Sequence, residues 1–179
     1  MTHIAREYAQ ALYGLARDEG QSRDILDQME IIQDVLEKEP HFFRLLSVPT
    51  LSRKEKTDVL DKVFSNKLNT YLLNFLKILS EKGYAKQIPD CIIAFRDLYD
   101  DDHGILRVRA TTAVPLTSSQ SARLQQVMES RTGKTIILTN KVDAGSMGGV
   151  RLDWDNLRVD DTVSHRLEMV HKLLDKTEL

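Results

Sequence analysis

The segment Thr132-Gly133-Lys134-Thr135 ends in a lysine and a threonine, the pair that meets phosphate oxygens and magnesium at the end of a phosphate-binding loop. The GxxxxGK pattern also asks for a glycine at position 128, which is Met128, and the lysine leads into a β-branched run instead of a helix. Phosphate binding is therefore not expected there. Gly148-Gly149 precedes strand-forming Val150 and Leu152, so these glycines are read as a tight bend or bulge and not as an anion cradle. His3, His41, His103, His165 and His171 show no HxxxH or HExxH spacing, which leaves no histidine pair on one ligand face. Cys91 precedes Ile92 in an apolar stretch and reads as a small buried hydrophobe, not a nucleophile. Asp100-Asp101-Asp102 reads as a solvated linker without EF-hand spacing, and nothing local converges Asp153, Asp155, Asp160 and Asp161 on one ion. No catalytic residue, metal ligand or cofactor is expected.

The elements that carry these residues change character along the chain. Up to Gly104 the apolar period is helical. Ile4, Tyr8, Ala11, Leu12 and Leu15 form one stripe ended by Gly20; Ile25, Met29, Ile32 and Leu36 form a second, stopped before Pro40. Phe42, Phe43, Leu45 and Leu46 predict a short apolar turn closed by Pro49. Ser52 and Glu55 form a capping box that starts a helix burying Val59, Leu60, Val63 and Phe64. Leu68, Leu72, Phe75, Leu76 and Leu79 mark a fifth segment ending near Gly83, and Ile88, Ile92, Phe95 and Tyr99 a sixth with Pro89 in its first turn. Small Ala5, Ala9, Ala11 and Ala16 on the first helix suit close packing, within the bundle or against a partner.

After Gly104 the period becomes two. Leu106, Val108 and Ala110 alternate with Arg107 and Arg109; Thr117 and Gln120 then open a helix that turns Leu124, Val127 and Met128 inward and ends at Gly133. Lys134 to Lys141 is a β-rich run, Val150 and Leu152 another, and Asp155-Asn156 is a hairpin turn pair leading to Leu157. A last helix carries Val163, Leu167, Val170 and Leu174. The expectation is a predominantly α, α+β chain: a six-helix bundle over 1–104 and a small β-α-β-β-β-α domain over 105–179.

Composition narrows the function. The 179 residues are 41% hydrophobic and 29% charged, which fits a folded globular protein, and no apolar run approaches the roughly 20 residues that cross a bilayer. With 25 basic and 27 acidic residues there is no excess to draw the chain onto nucleic acid or anionic lipid. The single cysteine suits a reducing compartment.

Tyr8-Ala9-Gln10-Ala11-Leu12-Tyr13 with Leu15-Ala16 resembles the opening YAxALF-LA motif of the delta subunit of F-type ATP synthases, bacterial counterpart of the mitochondrial oligomycin-sensitivity-conferring protein. Pro49-Thr50-Leu51-Ser52 before Lys56, Leu79 to Gly83, and Val114-Pro115-Leu116-Thr117 with Gln120 are similar to later steps of that family. The most specific stretch is Val142-Asp143, Gly148-Gly149-Val150, Leu152, Asp161-Thr162-Val163 and Arg166-Leu167. Ser146, Thr162 and Tyr84 depart from the usual pattern. The resemblance implies a non-catalytic stator component. Its helical domain would bind the N-terminal helix of an alpha subunit in a groove between the first and fifth helices, lined by Tyr8, Ala11, Leu12 and Leu15 on one wall and Phe75, Ile78 and Leu79 on the other. Its second domain would hold the C-terminal region of the b subunits, with the final helix and Gly148 to Leu152 as the places to look. Association with the cytoplasmic face of a bacterial inner membrane would come through the complex alone.

Two rivals stand beside that resemblance. An RNA- or ribosome-associated adaptor would use exposed Arg107, Arg109 and Arg151, but needs a basic stripe and stacking aromatics, and aromatic residues are only 6%. An enzyme would have to gather the carboxylates between Asp153 and Asp161.

Overall fold

The computed structural model describes residues 2–48, 51–64, 67–155 and 157–175. It is mostly helical with one small mixed sheet, an α+β arrangement. The chain divides into two compact units, Met1–Tyr99 and Asp100–Leu179.

The first unit holds α1 (His3–Asp18), α2 (Ser22–Lys38), α3 (Pro40–Ser47), α4 (Arg53–Phe64), α5 (Thr70–Glu81), a 3-10 turn at Ala85–Gln87 and most of α6 (Ile88–Asp102). Local chemistry starts several of these helices. The Thr2 hydroxyl accepts from the Ala5 N–H, and Asn69 Oδ1 accepts from the Tyr71 N–H at 2.9 Å. Asn69 is itself anchored at α2, its side-chain amide donating to Oε1 of Gln21 just before that helix and its backbone N–H to Oε1 of Gln28 within it, both at 2.6 Å. The expected capping box is present: Glu55 accepts from the Ser52 N–H at 2.8 Å and the Ser52 hydroxyl accepts from the Glu55 N–H at 3.2 Å. Pro40 stops α2 but also opens α3, because a proline in the first turn gives up an N–H that has no helical partner. The segment expected as an apolar turn is thus a helix; the side chains of Phe42 and Phe43, and residues Pro49 and Thr50, lie outside the described residues.

The buried face of α1 is one residue away from the predicted stripe. Ala5, Ala9, Leu12, Tyr13 and Ala16 face the core with the same helical spacing, and Tyr13 meets Phe95 edge to face at 5.3 Å. Three alanines with no exposed surface let the backbone of α1 come close to α2 and α5, while bulkier Ile4, Tyr8 and Leu15 fall on the flank. Hydrophobic bulk alone pointed to the wrong face.

The second unit is built on a four-stranded sheet in the order β2-β1-β3-β4, where β1 is Ile105–Thr112, β2 Thr135–Val142, β3 Val150–Trp154 and β4 Leu157–Asp160. β1 and β2 are parallel (Leu106 opposite Ile136) and are joined through α7 (Ser118–Thr132). β3 is antiparallel to β1 (Leu152 opposite Ala110) and to β4 (Trp154 opposite Leu157). The β3–β4 connection spans Asp155 and Asn156; Asp155 has φ 46°, as a tight hairpin requires, and Asn156 lies outside the described residues. Both halves of the Thr117/Gln120 capping box form at the start of α7. Leu106, Val108, Met128 and Ile136 make the core, with Leu124, Leu138, Leu152 and Trp154 packed around it. After β4, α8 covers Val163–Asp175.

The units part before Gly104, where the change of period suggested a boundary. Asp100, in the last turn of α6, is nearly buried, and Arg107 on β1 grips its carboxylate through both Nε and Nη2. The acidic trio is therefore a helix end with one member committed to an ion pair, which corrects its reading as a solvated linker.

Candidate functional site

Among the described residues, the GKT string, Cys91, Asp153 and Asp161 each have a structural partner or the wrong surroundings for chemistry. Gly133 is the left-handed C-cap of α7 (φ 67°), its N–H donating to the Glu129 carbonyl, and Thr135 opens β2, so the GKT string closes a helix. Burial, with Asp90 nearby, pushes the Cys91 thiol up to about 12, which keeps it protonated at neutral pH. Asp153 is held below the usual carboxylate range by hydrogen bonds from Arg158 and by the charges of Arg158 and Arg151. Asp161 is paired with Arg166. Among the described residues no group of three His, Cys, Asp or Glu side chains could hold a metal ion. Arg107 and Arg151, two of the three arginines an RNA-binding face would need, are spent on Asp100 and Asp153.

The predicted groove residues separate into two layers. Leu12, Phe75 and Leu79, expected on the groove walls, are buried in the first unit's core on α1 and α5. Leu15 and Ile78 are 41% and 45% exposed, and α1 packs against α5. Ala11 is exposed and Tyr8 half-buried, its ring meeting Tyr84 edge to face at 6.0 Å. Ile4, Tyr8, Ala11 and Leu15 thus make a second apolar stripe beside the buried one. Tyr84 was not anticipated as a neighbour of this surface.

In the second unit, separate motifs meet at one crossing. The Asp161 N–H donates to the Val150 carbonyl and the Val163 N–H to the Gly148 carbonyl, both at 3.1 Å, so the β3–β4 ladder continues into the first residue of α8. Gly149 lies at φ 78°, where a Cβ would stand 2.3 Å from the Asp161 carbonyl oxygen. Thr162, nearly buried, accepts from the His165 N–H at 3.3 Å as N-cap of α8 and donates its hydroxyl to Asp160 Oδ1 at 2.7 Å. That hydroxyl, then the Thr162 N–H and the charges of His165 and Arg151, hold the Asp160 carboxyl below its ordinary range.

A lowered carboxylate adds stability that is present above its unfolded-state pKa and lost as pH falls through the folded value. Asp160→Asn is accordingly expected to destabilise the protein at pH 7 by no more than about 1 kcal/mol after solvent screening, and to make progressively less difference as pH falls below the ordinary carboxylate range. Urea midpoints over a descending pH series, followed by fluorescence of Trp154, the only tryptophan, check this.

Comparison with known proteins decides what this arrangement belongs to. The family described as ATP synthase delta (OSCP) subunit matches residues 4–174. The chain belongs to that family. It is 31% identical over 173 residues to ATP synthase subunit delta of Alkaliphilus oremlandii, covering 97% of this chain and 96% of the relative. It is 30% identical over 179 residues to the subunit of the same name from Syntrophomonas wolfei, covering 98% and 97%. A chain of the Toxoplasma gondii mitochondrial ATP synthase hexamer shares the fold with a TM-score of 0.78 at 19% identity, covering 97% of this chain and 98% of that one. As a delta-family member the protein is a non-catalytic stator component of F-type ATP synthase. No helix among the described residues is long and apolar enough to cross a membrane.

Proposed function

We propose that this delta-family chain links the catalytic head of the synthase to its membrane-anchored stalk, the first unit binding the N-terminal helix of an alpha subunit and the second the C-terminal region of the b subunits. The observation that carries the first half is the pair of large, exposed apolar side chains, Leu15 and Ile78, on two helices that pack together. Tyr8, Ala11, Leu15 and Ile78 form the contact surface, and Leu12, Phe75 and Leu79 hold it rigid from below. An amphipathic helix laid along such a stripe removes these side chains from water, at roughly 25 cal/mol per Å² of apolar surface covered. In this reading the protein sits at the cytoplasmic face of a bacterial inner membrane and reaches it only through its partners.

The test is a titration of a peptide from the alpha N-terminus against the full chain. Ile78→Asp is expected to weaken binding by about 2 kcal/mol or more while leaving the circular dichroism melt intact, because Ile78 is a surface residue. Unchanged affinity in a folded variant removes Ile78 from the site.

A further inference from the structure

α7 meets the sheet of the second unit through two adjoining rows of side chains. Leu124 and Met128 enter the core, whereas Val127, expected from the sequence to point inward, is 43% exposed. Gln125 and Glu129, one turn apart, reach β2: Gln125 donates its amide to the Ile136 carbonyl at 3.2 Å, and Glu129 accepts from the N–H of the same residue at 3.3 Å.

Those two groups belong to the outer edge of the sheet. The Thr135 N–H donates to the Gly104 carbonyl and the Asp143 N–H to the Thr112 carbonyl, so the odd-numbered residues of β2 turn their backbone groups toward β1. By alternation Ile136, Leu138, Asn140 and Val142 turn theirs outward, where β2 has no neighbouring strand. A residue opposite Ile136 in an added antiparallel strand would use the same donor and the same acceptor. Gln125 and Glu129 stand in for that residue.

An open edge here would be hazardous. The other outer strand, β4, has only four residues, and a short edge is a poor template. β2 has eight, with one charge and no proline, a composition that pairs readily with its like. Laid antiparallel on itself about Thr139, it sets Ile136 against Val142, Leu138 against Asn140 and Lys141 against Ile137, so no like charges meet.

We propose that Gln125 and Glu129 close the edge of folded β2 against strand addition by the β2 segment of a second, still unfolded copy of this chain. β1 and β2 are parallel and joined through α7, so their pairing closes a long loop, and β2 stays unpaired while a chain folds. The pair of side chains keeps a folded copy from capturing it. This role is separate from whichever partners the second unit holds in the synthase.

Two measurements on the full chain test it. In Glu129→Ala the Ile136 amide is expected to exchange with deuterium at least about tenfold faster, while that of Ile137, which faces β1, keeps its rate. An unchanged rate at Ile136 overturns the proposal. Refolding by dilution from urea, followed by light scattering over a protein concentration series, reads the consequence. Gln125→Ala with Glu129→Ala, both changes to a strong helix former, is expected to scatter at concentrations at least about threefold below the unaltered chain. Adding Val142→Lys, at an exposed position on the same edge, is expected to restore the original onset. Glu129→Gln keeps an acceptor for the Ile136 N–H without the charge and is expected to refold like the unaltered chain. Scattering as strong as that of Glu129→Ala would assign the effect to charge and overturn the proposal. So would clean refolding of the double variant, or scattering that Val142→Lys leaves in place. If the double variant does not fold, the exchange rates alone decide.

Discussion

A Gly149→Ala variant is expected to lose about 2–5 kcal/mol of stability in the second unit, the largest effect of adding a methyl group to any glycine among the described residues. Two costs combine. The residue sits at φ 78°, where a side chain costs roughly 1–2 kcal/mol. Its Cβ would also stand 2.3 Å from the Asp161 carbonyl oxygen and 3.0 Å from the Thr162 Cα, and both are backbone atoms that cannot rotate away. Relieving that overlap means moving the start of α8 off β3, which gives up the paired bonds to Val150 and Gly148, an overpacking cost of about 1–3 kcal/mol. Gly133→Ala separates the two costs, because Gly133 has a similar φ of 67° and nothing within 4 Å of an added Cβ. Urea unfolding followed by Trp154 fluorescence should show the Gly133 variant shifted modestly and the Gly149 variant shifted several times as far. Equal shifts would mean that the contact with Asp161 yields easily.

Phe95→Ala is expected to destabilise the first unit by about 3–5 kcal/mol, as large-to-small changes of a fully buried aromatic do. Phe95 has no exposed surface and stacks edge to face with Tyr13 at 5.3 Å. The cavity would open beside Tyr13, on a face of α1 whose other contacts are mostly alanines that offer little bulk to collapse into it. Loss of the helical signal at lower denaturant concentration measures the effect. A shift matching that of a surface substitution such as Leu15→Ala would show that the site refills.

What could be read from the amino-acid order depended on how local the physics was. The capping boxes Ser52/Glu55 and Thr117/Gln120 are three-residue chemistry, and both are present. The change of period at Gly104 separates helix from strand because residue alternation is a property of each element by itself. The face of α1 was not legible, since bulk favoured Ile4, Tyr8 and Leu15 while burial was decided by the alanines that allow α2 and α5 to close in. Leu12 and Leu79, expected on the groove walls, are likewise buried, a depth that helical spacing does not encode. Asp100 looked solvated until the strand brought Arg107 back to it. Leu157 and Val159 have unremarkable strand patterning, and nothing in their spacing encodes that both stand exposed on an edge strand. The Gly148-Gly149 and Asp161-Thr162 motifs were recognisable one by one, but their shared reason is a backbone crossing between segments separated by a hairpin.

That crossing has a mechanical meaning for a subunit that must resist torque. A pull on α8 enters the sheet at the open end of the β3–β4 hairpin, through the Val163–Gly148 and then the Asp161–Val150 bond. Bonds met in that order are strained one after another and do not share the load, so the first to yield fixes the force the C-terminal helix can bear. A bare glycine backbone at position 149 lets the two strands close fully at the point where tension arrives.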